Sequence, residues 1–307
     1  MRDAFAREMT ALAAQRSDVT LLSGDIGNRM FDRFKDVAPE RFFNCGIAEA
    51  NMMSVAAGMA LSGMRPVVYT ITPFTTTRCL EQIRVGVAYH QAPVVIVGTG
   101  SGLSYSELGP THHSLEDMAI LRTLPGINVV APADSSELVA QLRDALSSPY
   151  PTYMRIGKKG EPPLHDERSE LGIGKANMLR EGKDLLVVGV GPILGEALQA
   201  AKTVDDEGIS VAVANLGGVK PLDSSFLKQM AKRFSNWISL EEHGITGGLG
   251  SALLEWNAER NETPIKLKRL GVPDLFIHEL GNQSYTRGKL GLDASGLAKT
   301  FRQSART

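Results

Sequence analysis

The chain has 307 residues, 43% of them hydrophobic, and a formal net charge of −1. That length suggests two domains with sizeable cores, and Lys and Arg spread along the chain exclude the basic stripe of a nucleic-acid binder. Cys45 and Cys79 are too few for a disulfide framework, and no Cys/His spacing suggests zinc.

The amino-terminal MRDAFAREMTALAAQ is charged and helically patterned, unlike a signal peptide, and the longest apolar runs fall far short of a membrane span. No membrane role is expected, and a cytoplasmic protein is the default. Strand and helix signals alternate, the pattern of an α/β fold with mainly parallel sheets. Residues 3–15 read as a helix, and DVTLLSGD (18–25) as a strand running into a turn. Residues 49–62 read as a helix stopped by Gly63, with Pro66 just beyond. PVVYTIT is a strand, 75–89 a helix with Leu80, Ile83 and Val87 on one face, and PVVIVGT (93–99) a buried strand. INVVAP follows, then DSSELVAQLRDAL with a capping signature, Asp134 three residues before Glu137, then TYMRI at 152–156. GKKGEPPLHDERSELG is charged, holds Gly and Pro, and lacks periodicity, so it reads as a linker. The expected domains are 1–160 and 175–307, joined by 161–174. In the second, strands DLLVVGVG, ISVAVANL, NWISLEE and IKLKRLGV alternate with helices over 193–204, 223–233, 247–259 and 293–303.

The glycine motifs are weak signals. GVGPILGEAL (189–198) is only loosely like a dinucleotide fingerprint, because Pro192 sits where close phosphate approach needs an N–H. An ordinary strand-to-helix turn is the better reading. The glycines of GITGGLGSALLE (244–255) read as close packing, and Glu242 with His243 as a strand-end turn.

Two segments carry more chemistry. In FNCGIAEANMMSVAAGMALSG, Glu49 opens a helix of small and apolar residues. The helix dipole alone would favour a carboxylate there; a buried acid with a raised pKa could instead protonate a ligand nitrogen. The second segment, GTGSGLSYSELGPTHHSLED (98–117), is a polar loop at the carboxyl end of a buried strand, where α/β proteins place ligands. Its adjacent His112 and His113 seldom would point the same way, so they make a poor metal pair. One could cap a helix starting near Leu115 while the other faces a ligand, or both could lie on the surface.

NCGIAEANMMSVAAGMALSGMRPVVYTITPF, GPTHHSLEDMAILRTLPGINVVAPADSSEL and YMRIGKKG resemble, in order and spacing, the pyrimidine-binding domain of transketolase and deoxyxylulose-phosphate synthase. NLGGVKPLD and SLEEHGITGGLGSALLE resemble the C-terminal domain of the same enzymes. The resemblance implies two three-layer α/β/α domains and thiamine diphosphate as cofactor. It implies that Glu49 hydrogen-bonds N1′ of the aminopyrimidine, favouring the tautomer whose N4′ removes the thiazolium C2 proton. It places Phe74 against the aminopyrimidine, Arg78 nearby with a spacing one residue longer, and Asp25 and Ile26 beside the cofactor. It puts His112 near the reacting carbon to handle hydroxyl protons, with His113 next to it, and gives Arg155 and Arg2 to a substrate phosphate.

Departures from the family pattern matter equally. The family's GDG segment with its downstream Asn residues holds Mg²⁺ and the diphosphate through hard oxygen ligands; SGDIGN maps to a different strand end. The chain is therefore expected to be the second half of a split transketolase. An N-terminal partner subunit would bring the diphosphate and Mg²⁺ site, with two copies of each subunit. Leu108 stands where transketolase has an aspartate that reads a substrate hydroxyl, and an upstream histidine is replaced near Gly100. A branched, deoxy or otherwise modified sugar is expected over the ordinary pentose phosphates. The expected reaction is two-carbon ketol transfer between sugars. The alternatives are the beta subunit of a 2-oxoacid dehydrogenase, which has the same layout, and a non-catalytic dimeric scaffold.

Overall fold

The computed structural model describes residues 1–305 apart from 28, 159 and 261, so Asn28 of the SGDIGN segment lies outside the described residues. The first half runs α1 (Arg2–Gln15), β1 (Val19–Ser23), α2 (Asp32–Val37), β2 (Phe42–Asn44), α3 (Glu49–Leu61), β3 (Arg65–Ile71), α4 (Thr72–Thr75), β4 (Val95–Thr99), α5 (Asp117–Arg122), β5 (Asn128–Val130), α6 (Ser135–Ser147) and β6 (Thr152–Ile156). The second half runs β7 (Asn177–Arg180), β8 (Leu185–Gly189), α7 (Leu194–Asp205), β9 (Val211–Asn215), β10 (Gly218–Lys220), α8 (Ser224–Arg233), β11 (Asn236–Gly244), α9 (Leu249–Ala258), β12 (Lys266–Val272), α10 (Gln283–Leu290) and α11 (Ala294–Ser304).

The strands form two sheets, ordered β10-β5-β6-β4-β3-β1-β2 and β12-β11-β8-β9-β7. Among the described residues every pairing is parallel except those of β10 with β5 and β7 with β9. Parallel strands covered on both faces need apolar side chains throughout, and β1, β4, β6, β8 and β9 are buried along their whole length. Alternate residues feed opposite layers: Leu22, Val68 and Ile96 pack with α3, while Leu21, Val67 and Val95 pack with α1 and α6. Each sheet thus lies between helices, in two α/β domains. Helix α3 buries Met52, Met53, Ala56, Ala57 and Ala60, but leaves Val55 and Leu61 exposed.

The expected helix over 75–89 is broken. The chain makes the short α4, a 3₁₀ turn at Thr77–Cys79, and a π-helical segment at Gln82–Tyr89. Three successive threonines explain the break: Thr75 and Thr76 hydroxyls donate to the Thr72 carbonyl at 3.0 and 2.7 Å, and that of Thr77 to Pro73 at 2.9 Å. Such local bonds compete with the helical ladder. Strand β10 has no clear sequence signal either. It comes from the second half yet extends the first sheet, and Gly218 permits the approach, since a Cβ there would lie 2.6 Å from the Val129 carbonyl oxygen.

The segment between the sheets is tied down by His165, whose side chain is fully buried. Its Nδ1 lies 3.0 Å from Asp134 Oδ2 and its Nε2 3.1 Å from Asn215 Nδ2, which also donates to both Glu137 oxygens. Asp134 caps α6 by accepting from the Glu137 amide at 3.0 Å, as its sequence signature predicts. Burial pushes the Glu137 carboxyl up to about 7, although His165 opposes the shift. Burial would lower His165, but Asp134 and Glu137 hold it above its ordinary value. Both groups therefore bind protons more tightly in the folded chain. The Glu137 contribution is full below its unfolded value of 4.5 and is lost as pH rises through about 7; that of His165 is full below 6.5 and is lost above that value. The chain is expected to lose stability between pH 5 and pH 8, by on the order of 3 kcal/mol from Glu137. Melting curves across that range should show the decline, and Glu137→Gln should flatten it. A wild-type profile that stayed level would refute the linkage.

Candidate active site

Strand β1 is followed by β2 on one side and β3 on the other, so the first sheet reverses its winding between β1 and β3. Crevices outside the carboxyl ends of strands at such a reversal are where open α/β sheets bind ligands. Asp25 and Ile26 leave the end of β1, Glu49 opens the helix after β2, and Phe74 lies in α4 directly after β3. Asp25 takes a left-handed φ of 56° and accepts a 3.0 Å hydrogen bond from Asn44 Nδ2. The Ile26 carbonyl accepts from Ser23 Oγ at 2.7 Å. The first bond joins the turn after β1 to the end of β2, and the second closes the turn itself.

Glu49 is 3% exposed, with its Oε1 2.9 Å from Arg78 Nη1. The same guanidinium lies 4.1 Å from the centre of the Phe74 ring. A planar cation thus rests on an aromatic face while bonding a buried carboxylate. The His112 ring stands edge-on to Phe74, with centroids 5.3 Å apart, and 6.2 Å from the ring of Tyr105. Burial, then His113 and Arg78, hold the His112 imidazole below its ordinary pKa. It is therefore a neutral donor and acceptor near pH 7, and its Nδ1 lies 3.0 Å from Thr111 Oγ1.

Other predicted residues have partners of their own. His113 turns inward, 5% exposed, and its Nε2 donates to the Ser106 carbonyl at 3.2 Å. Arg155 is 3% exposed and paired with Asp117. Its Nε donates to Asp117 at 2.8 Å, and its Nη2 to the carbonyls of Ser114 and Glu242 at 2.6 and 2.9 Å. Arg2 is half-buried near Tyr69 and Tyr105, and lines a cleft of about 640 Å³ with Arg7, Arg29, Arg33 and Lys158. Lys158 Nζ lies 4.4 Å from the centre of the Tyr105 ring. Tyr105 therefore links the His112 side of the crevice to the basic cleft; a lone tyrosine in a glycine-rich loop gives no sequence signal of this.

The geometry suits the aminopyrimidine half of thiamine diphosphate. Phe74 offers a flat apolar face and Glu49 a buried carboxyl beside it, a seat that already takes a planar, nitrogen-bearing group in the form of the Arg78 guanidinium. Among the described residues no three His, Cys, Asp or Glu side chains are grouped to hold an ion. Among the same residues no helix is long and apolar enough to cross a membrane.

Comparison with known proteins agrees with this architecture. Residues 1–161 match the family model of the transketolase pyrimidine-binding domain, and residues 174–294 that of the transketolase C-terminal domain. The chain is 34% identical over 301 residues to an apulose-4-phosphate transketolase subunit of Phocaeicola vulgatus, covering 97% of this chain and 95% of that protein. It is 38% identical over 299 residues to 1-deoxy-D-xylulose-5-phosphate synthase 1 of Geobacter sulfurreducens, covering 96% of this chain but 45% of that one. Among solved structures, a split-gene transketolase described as an inactive β4 tetramer superposes with a TM-score of 0.88 at 32% identity, covering 99% of this chain and 97% of the other. The chain belongs to the transketolase family and comprises its pyrimidine-binding and C-terminal domains.

Proposed function

We propose that this chain is the aminopyrimidine-binding subunit of a two-part, thiamine-diphosphate-dependent transketolase that moves a two-carbon ketol unit between sugar phosphates or modified sugars. The observation that carries the reading is the convergence of buried Glu49, the Phe74 ring and the His112 imidazole at the winding reversal of the first sheet. Thiamine diphosphate supplies the electron sink for breaking and forming the carbon–carbon bond. Glu49 offers its carboxyl to the ring nitrogen, Phe74 orients the ring by stacking, and Arg78 gives up its place on both. His112, held neutral, accepts or returns a hydroxyl proton of the sugar. Arg2 and its basic neighbours suit an anionic end of the substrate. The diphosphate and Mg²⁺ belong to an N-terminal partner subunit, and the active enzyme holds two copies of each chain. Leu108, half-exposed on the His112 loop, favours a sugar that lacks or re-places a hydroxyl at that point.

Reconstitution tests the proposal. The purified chain is mixed with an N-terminal transketolase subunit, thiamine diphosphate and Mg²⁺. Ketol transfer without an external oxidant, requiring both chains, is the expected result. Decarboxylation of a 2-oxoacid instead, or failure to bind any such subunit or cofactor, would overturn it.

A further inference from the structure

The loop that presents His112 is gripped from the second domain. Its two shoulders, Leu103 and Leu115, are buried in the same apolar cluster as Leu185, Val187, Leu240 and Val272 of the second sheet. Between them, Ser114 N donates to Gly102 O at 3.0 Å and closes the loop's base. Glu242, at the carboxyl end of β11 and 5% exposed, reaches across the domain boundary. Its Oε1 accepts from the Leu103 amide at 2.7 Å and from Gln283 Nε2 at 2.8 Å. Its Oε2 accepts from Arg287 Nε, whose Nη1 is 3.2 Å from Glu196 Oε1. A second hook lies nearby: the buried hydroxyls of Ser106 and Thr286 are 2.6 Å apart, and the Ser106 carbonyl accepts from His113. The backbone makes room for this grip. Gly102 has a φ of +61°, and a Cβ there would lie 2.4 Å from Glu242 Oε1.

We infer that Glu242, braced by Arg287 and Gln283, is a positioning residue for His112, so that the second domain sets the geometry of the first domain's active site. The inference rests on the transketolase reading above for its kinetic consequence, but not for its structural one. A carboxylate that accepts from a loop amide and is itself held by a guanidinium fixes that amide more firmly than a neutral acceptor. The next residues, 104–112, then have little freedom between the Leu103 anchor, the Thr286 hook and the closed base. A displacement of about 1 Å at a reacting group can lower a rate about 100-fold.

The test uses Glu242→Ala, Glu242→Gln and Thr286→Val in the full chain, read in two ways. NMR titration of His112 in the chain alone should show its pKa rising toward the ordinary value in Glu242→Ala, as the loop loosens and the ring gains water. In the reconstituted enzyme, kcat should fall roughly 10- to 100-fold with thiamine diphosphate affinity unchanged. Glu242→Gln, which still offers an oxygen to Leu103, should recover a large part of both. Thr286→Val, a near-isosteric change, should shift both in the same direction if Glu242→Ala does not fold. Unchanged His112 titration and unchanged kcat in folded variants would overturn the inference. A shifted titration in a chain that shows no ketol transfer with any partner would uphold it while removing the proposed function.

Discussion

Glu49→Gln is expected to abolish ketol transfer by the assembled enzyme while leaving its fold and assembly intact. Glutamine has the size of glutamate and keeps an oxygen for the Arg78 guanidinium, which is 45% exposed and can turn to water. An ion pair open on one side contributes little to stability, so the melting temperature should change little. The lost function is the proton that a carboxyl can share with a ring nitrogen. Positioned acid–base groups are worth about 10²–10⁴ in rate, and kcat should fall at least that far. Activity within tenfold of wild type would remove Glu49 from the chemistry. Equal loss in melting temperature and in activity would assign it a structural role instead.

The largest effect on stability is expected at Asp117. Its carboxylate is 2% exposed, and one oxygen accepts from Tyr153 Oη at 2.6 Å and from Arg155 Nε at 2.8 Å. Burial alone would raise its pKa, but Arg155 and His243 together with the Tyr153 bond hold it below the usual carboxylate value. Asp117→Ala would leave the Arg155 cation buried without its counter-charge, at a cost of about 3–5 kcal/mol. A denaturant titration measures this directly. The double variant Asp117→Ala with Arg155→Met should lose less than Asp117→Ala alone, because it removes the orphaned charge as well. A cost under about 1 kcal/mol for Asp117→Ala would mean that water reaches the pair.

The same pair shows why Arg155 is hard to place from sequence. YMRIG identifies a strand end, and resemblance gives its arginine to a substrate phosphate. In the fold, Arg155 Nε and Nη2 donate to Asp117 and to the carbonyls of Ser114 and Glu242, from segments distant in the chain. The dipeptide His112–His113 presents a similar case: adjacent side chains diverge, but which one faces the crevice depends on Ser106, which receives His113. Glu242 reads as part of a strand-end turn because its partners, Leu103 and Arg287, lie 139 and 45 residues away.

Features under short-range chemical control are legible in the amino-acid order alone. Apolar runs mark the buried strands, because parallel strands covered on both faces admit little else. The Asp134 cap, the helix opened by Glu49 and its stop at Gly63 follow from backbone groups and neighbours within a few residues. Whatever depends on distant partners emerges only in the folded chain. Folding sends β10 to the other domain's sheet. It lays Arg78 between Glu49 and Phe74, and it sets the second domain beneath the His112 loop. Periodicity reports which face of an element is buried. It carries no information on which charge, hydroxyl or ring the folded chain brings to meet it.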